Sequence, residues 1–176
     1  TQMNTVRLLE ASSEATFQPV ELILRRMAAE MIAQRAHSRS VGGLGDRFAA
    51  IAEPWDFVFG LTYADENGIL RELSRREEDG HHHARVAEID RSRDALFTVH
   101  RDGLVPPNAV YITDPFPGQL SGIWLVAVTK GVHDADGRFM GVAIATLRIE
   151  TFAHIFAGSA PEAYTGLGLF KSDGIM

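Results

Sequence analysis

Three adjacent histidines, His81, His82 and His83, are the first residues whose types invite chemistry, because neutral imidazole is the commonest transition-metal ligand. Consecutive residues cannot converge on one ion without an unusual backbone, and no cysteine or second histidine cluster completes a tetrahedral set. The run reads as part of a solvated loop, with a response to pH as the remaining alternative. Asp134 and Asp136 could serve as an acid and base pair, but with Gly137 beside them they are better explained as turn formers. Ser121 is followed by Gly122 yet has no Gly-x-Ser-x-Gly elbow and no recognisable histidine and carboxylate partners. Gly42-Gly43-Leu44-Gly45 precedes a helical pattern without the Lys-Ser/Thr of a phosphate loop. Thr165-Gly166-Leu167-Gly168-Leu169 has the look of a nucleotide-binding glycine box, but no Asn-bearing helix or Asp-x-Gly segment precedes it, and a glycine-interrupted strand explains it. No catalytic constellation emerges, and no cofactor or metal is assigned.

Binding is the chemistry that remains, and the elements that would position a binding site are legible. Ile123 to Val128 and Phe139 to Ile149 are rich in Val, Ile, Leu and Trp and flank Asp134-Ala135-Asp136-Gly137, which supplies the positive φ of a hairpin turn. Their near-continuous apolar character predicts a sheet covered on both faces, one by a helix and the other by a lid or a ligand. Val6, Leu9, Ser13, Phe17, Val20, Leu24, Met27 and Met31 form one stripe of a long helix over about residues 4 to 36, which Pro19 should kink or divide. Asp46 is the expected cap of a short helix through about Ala52. Strands are expected near 56–63, 69–73, 109–113, 122–131 and 139–149, with Trp124 and Phe139 to Leu147 supplying much of the core. A short helix falls over 94–101, another over 150–157, and a strand over 166–171. The charged run from Arg75 to Asp94 is expected to be a mobile excursion.

The chain has 176 residues, a length for one well-buried domain or one domain with a fragment of another. A net charge of -6, with scattered Lys and Arg, argues against a nucleic-acid partner. The absence of cysteine suits an oxidising compartment and the cytosol equally. No apolar run reaches the roughly 18 residues of a membrane span, and Thr1 to Thr5 shows no signal-peptide pattern.

The set Tyr111-x-x-x-Pro115-Phe116, Gly122-x-Trp124, Lys130 and Asp134-x-Asp136-Gly137-x-Phe139-x-Gly141-Val142 resembles the second half of a Cache domain, the PAS-like extracytoplasmic sensor of bacterial transmembrane receptors. The resemblance extends back through Phe97-x-x-His100-Arg101-Asp102 and Tyr63-Ala64-Asp65-Glu66-Asn67-Gly68 and covers roughly residues 5 to 175. It implies an α+β fold in which a long N-terminal helix packs on a five-stranded antiparallel PAS-like sheet. It divides the chain into a signalling helix over 1–40, a membrane-distal sensor domain over 41–160 and the start of a membrane-proximal second module over 161–176.

The function so implied is that of a periplasmic, small-molecule-sensing module of an inner-membrane receptor, whose output is a diguanylate cyclase, histidine kinase or chemoreceptor. Membrane contact would come only through flanking segments, and the N-terminal helix would form a weak homodimer. A cytosolic PAS-like cofactor-binding domain or a small α/β enzyme is the competing reading. The family's pocket maps here onto Phe97, Arg101, Tyr111, Trp124 and Lys130, with Asp114 and Arg93 as additions. Aromatic walls would shape the site while Arg or Lys pairs with an anionic group. Amino-acid-sensing members carry an Arg two residues before an aromatic pair and an Asp late in the last strand. Here those positions read Arg93-Asp94-Ala95-Leu96-Phe97 and Thr146, so the resemblance points away from amino acids and toward a small carboxylate.

Overall fold

The computed structural model describes residues 2–36, 43–77, 80–85, 89–118 and 123–150, with the side chains of 2–17, 72, 76, 77 and 80–85 left out. The segments expected as a helix over 150–157 and a strand over 166–171 lie essentially outside the described residues, as does the glycine run at 165–169.

Helix α1 spans Gln2–Ala36 without interruption, so Pro19 does not divide it. Val20, Ile23, Leu24, Met27 and Met31 after the proline are all buried, and this packing outweighs the roughly 3 kcal/mol that an interior proline costs. Helix α2, Leu44–Ala52, is capped at Gly43 with φ 111°, three residues earlier than the Asp46 cap predicts. Leu44 is buried, which draws it into the first turn, and Asp46 sits in that turn where the helix dipole favours a carboxylate. Arg47 of α2 binds Glu30 of α1 at 2.8 Å and Gln34 at 2.9 Å, tying the two helices together.

The strands are β1 (Val58–Asp65), β2 (Leu70–Glu77), β3 (Gly80–Arg85), β4 (Tyr111–Ile112), β5 (Phe116–Pro117), β6 (Trp124–His133) and β7 (Phe139–Arg148). They make one antiparallel sheet in the order β3-β2-β1-β7-β6-β4, with β5 also on β6. Among the described residues this sheet has seven strands where five are expected. The additions are the two-residue β5 and β3, which falls in the run read as a mobile excursion. Within that run Gly80–Arg85 is instead a strand paired to β2, with Arg75 opposite His82 and Ser74 opposite His83. A backbone ladder needs no apolar side chains, and charge suits an edge strand because it discourages pairing with other chains.

The β6–β7 turn forms where expected: Asp134 Oδ1 accepts from the amides of Asp136 and Arg138, both at 2.9 Å, and Gly137 has φ 80°. Asp65 does the same for the β1–β2 turn, accepting from Asn67 and Ile69. Gly141 is required in β7, because its φ is 135° and a Cβ there would collide with the carbonyl of Ala64 on β1. Helix α1 and α2 cover one face of the sheet through Val58, Leu61, Val126, Val128, Ala143, Ala145 and Leu147. Helix α3, Ala95–Arg101, covers part of the other through Phe97 against Ala64, Ala127, Val142 and Ile144. Trp124 does not join the core; it is 53% exposed, the first residue of β6 and one step beyond Val126, where the α1-side cluster ends.

Candidate functional site

Alternation along β6 sends Leu125, Ala127, Thr129, Gly131 and His133 toward α3, and Val126, Val128, Lys130 and Val132 toward α1. On β7, Val142, Ile144, Thr146 and Arg148 share the α3 side; on β1, Thr62 and Ala64 do. Paired residues face alike, so Tyr111 stands over Thr129, Phe116 over Leu125, and Leu73 and Arg75 of β2 beside Thr62 and Gly60.

At one end this face is closed. The Phe97 ring stands edge-on to Phe139 at 5.6 Å, and behind it the fully enclosed His100 reaches Thr129, with Nε2 at 2.8 Å from Oγ1. Because the Thr129 hydroxyl donates to the Tyr111 carbonyl at 3.3 Å, its one proton is used, and it accepts from His100 Nε2–H. That assigns the tautomer, with Nδ1 as the acceptor. Burial, then the positive charges of Lys130 and His133, pull the His100 pKa down to about 4, so the ring is neutral.

The other end lies beyond α3. From Ile144, level with Thr129, the face runs four residues to Arg148, about 13 Å, over Thr146, Arg148, Phe59, Leu73 and Arg75, none of which is fully buried. The threonine hydroxyl of Thr146 donates to the Gly60 carbonyl at 3.0 Å. Phe59 owes its position to a bulge: Val58 pairs with Leu147 and Gly60 with Thr146, leaving Phe59 as the extra residue between them. The Arg148 guanidinium lies 5.6 Å above its ring.

The sequence-derived site residues are not gathered in one place. Phe97 and Tyr111 share the α3 face. Arg101 is exposed at the end of α3, where Asp102 binds it at 2.8 Å, Ser92 accepts a hydrogen bond from it, and its guanidinium sits 5.7 Å from the Phe97 ring. Arg93 and Asp114 are exposed. Lys130 lies on the α1 side, its Nζ donating to the Pro107 carbonyl at 2.9 Å; burial and Arg25 lower its pKa while Glu21 opposes them. Trp124, an even position of β6 like Lys130, is likewise on that side. The sequence reading passed over Phe59, Thr129 and Arg148. Arg148 had a signal, as the one charge in the apolar run 139–149, in phase with Val142, Ile144 and Thr146. Among the described residues no group of three His, Asp or Glu side chains could hold a metal ion.

No protein-family model matches the chain, and no curated protein matches it. Solved structures do. The extracellular domain of rpHK1S-Z16, a protein assigned as a histidine kinase, superposes with a TM-score of 0.69 at 23% identity, over 90% of this chain and 60% of that one. A second such extracellular domain, vpHK1S-Z8, gives 0.71 at 8% identity over 88% of this chain and 60% of that one. The ligand-binding domain of the Campylobacter jejuni chemoreceptor Tlp3, in complex with L-valine, gives 0.65 at 13% identity over 88% and 62%. This chain has the Cache fold. It spans about three fifths of the length of these Cache structures.

Proposed function

We propose that this chain is the ligand-sensing module of a transmembrane signalling receptor, held outside the cytoplasm, and that it binds a small carboxylate. The observation that carries the reading is the asymmetry of the sheet. One face is sealed by α1 and α2, while the other is only partly closed by α3 and beyond it offers a floor that includes Gly60, Thr62 and Thr146, with aromatic side chains at Phe97, Tyr111 and Phe116 on the same face. Such a floor accommodates a molecule rather than a second layer of large side chains. The structures sharing the fold are extracellular or ligand-binding domains, and in Tlp3 the bound molecule is L-valine. In this chain Thr146, its hydroxyl donating to Gly60, offers no negative charge to an ammonium group. Burying that ammonium unpaired would cost several kcal/mol, which favours a carboxylate without an amine.

In this proposal Phe97 and Tyr111 wall the site, Arg101 and Arg93 stand at its outer edge, and Asp114 marks the strap between β4 and β5. Lys130 and Trp124 contribute by holding the sheet edge, with Lys130 fastened to Pro107. The parent's output is a histidine kinase or diguanylate cyclase, α1 pairs weakly with its copy in a second receptor, and the residues from 161 onward open a second module. A fusion of alkaline phosphatase to this segment in the full-length receptor should be active, since the enzyme needs export; an inactive, stably expressed fusion would place the segment in the cytosol. A thermal-shift screen should show the melting temperature rising with the logarithm of carboxylate concentration. If free amino acids produce that rise and carboxylates do not, the choice of ligand class is wrong.

A further inference from the structure

We infer that Arg148 is the anion anchor of this site and that the ligand is a carboxylate carrying an apolar body; the inference rests on the sensor reading above. Arg148 ends β7 on the α3 side, and its Nε is buried without a hydrogen-bond partner. Among the described residues no carboxylate pairs with the guanidinium, whose one recorded contact is the Phe59 ring. A buried guanidinium nitrogen with nothing to donate to costs stability, so its retention calls for an acceptor.

The surroundings name the acceptor's charge and shape. The described floor of the α3 face carries Arg148 and Arg75 and no Asp or Glu on β1, β6 or β7. Glu150, two residues after Arg148, and Asp114 on the strap are exposed; Asp90 and Asp94 are engaged by Ser92 and Arg91, and Asp102 by Arg101. Phe116, Leu125 and Arg148 form one row across three strands, so the Phe116 backbone lies two strand spacings, about 10 Å, from that of Arg148 with a leucine between. With Phe59 beneath, this is a cation set in an apolar frame. A planar carboxylate fits the guanidinium fork with two parallel hydrogen bonds, one of them from Nε, and the apolar body of the same molecule lies toward Leu125 and Phe116. The bulge at Phe59 is what brings an aromatic face under the cation, and Gly60 beside it must stay small, since a Cβ there would come within 2.9 Å of the Ser74 carbonyl.

Acetate, benzoate and the neutral isostere benzamide are the probes, with thermal shift and the Nε–Hε NMR signal of Arg148 as readouts. Benzoate should raise the melting temperature, bind more tightly than acetate, and move the Nε–Hε signal; benzamide should bind about tenfold or more weakly. Arg148→Met, close in length and apolar, should melt higher than wild type in the absence of ligand, because the orphaned nitrogen is gone, and should lose the benzoate response. Arg148→Lys should keep part of it, and Arg25→Gln, on the solvent side of α1, all of it. Equal binding of benzoate and benzamide, an undiminished benzoate response in Arg148→Met, or a ligand-free Arg148→Met that melts well below wild type would each overturn the assignment. So would the absence of any response to millimolar acetate and benzoate. A neutral compound that stabilises wild type and Arg148→Met alike would remove Arg148 and leave the sensor reading standing, whereas a cytosolic location in the fusion experiment would remove the sensor reading whatever the probes do.

Discussion

His100 shows how one side chain can couple the stability of the covered end to acidity. Its pKa is held near 4 in the folded protein and returns toward 6.5 when the chain unfolds. Below pH 6.5 the unfolded chain takes up a proton that the native one refuses, so stability falls as pH drops through the window from 6.5 to 4 and levels off beneath it. The full loss is about 3 kcal/mol. Denaturant melts at pH 7 and pH 4.5 should show it, and His100→Gln, which keeps a donor toward Thr129, should be flatter over the same range. A wild type and variant with parallel pH profiles would mean that His100 is solvated. Residues of this kind are poorly legible in a sequence, because the partner that defines His100 is Thr129, 29 positions away. Asp134 is the opposite case: its turn is made with Asp136 and Arg138, so a short string of letters contains the whole interaction.

Among the elements, the β6–β7 hairpin and α1 were legible for the same reason of locality, one through its Asp-x-Asp-Gly turn and the other through its three-and-four spacing. What escaped was the hairpin of β2 with β3, where polar composition concealed a ladder held by backbone groups. The split of the site residues also escaped, since it depends on the phase of β6: Lys130 and Thr129 are neighbours in sequence and on opposite faces in space. Helix α1 carries a prediction of its own. The second half of its stripe, Val20 to Met31, is spent on the sheet, and a helix of 35 residues is about 52 Å long against about 33 Å for a ten-residue strand. A helix of that length reaches past the strands it lies on, and Pro19 stands one residue before the buried stripe from Val20 to Met31. Pro19→Ala should raise the melting temperature of the isolated chain, restore a backbone hydrogen bond, and alter signalling by the full-length receptor more than ligand affinity. An unchanged signal together with a changed affinity would contradict that separation.

For the whole molecule, the length of α1 beyond the sheet is what the proposed dimer would share. Cysteines placed one at a time over positions 5 to 16 of the full-length receptor should form disulfides that peak at helical spacing and shift when ligand is added. A flat profile would make α1 a packing element only, with the signal leaving by another route. The isolated chain should associate weakly, since in the proposed receptor it is flanking membrane segments that would concentrate the helices. The strand order has a bearing on how such a molecule comes into being. The two strands at the middle of the sheet, β1 and β7, come from distant parts of the chain, and Thr146 reaches a partner 86 residues earlier at Gly60. A polypeptide emerging from the ribosome thus makes its outer hairpin first and leaves one edge of β1 bare until nearly the last strand arrives. Closing so long a loop is slow. A domain assembled in that order stays open until β7 has been made, a condition compatible with being threaded across a bilayer before it folds.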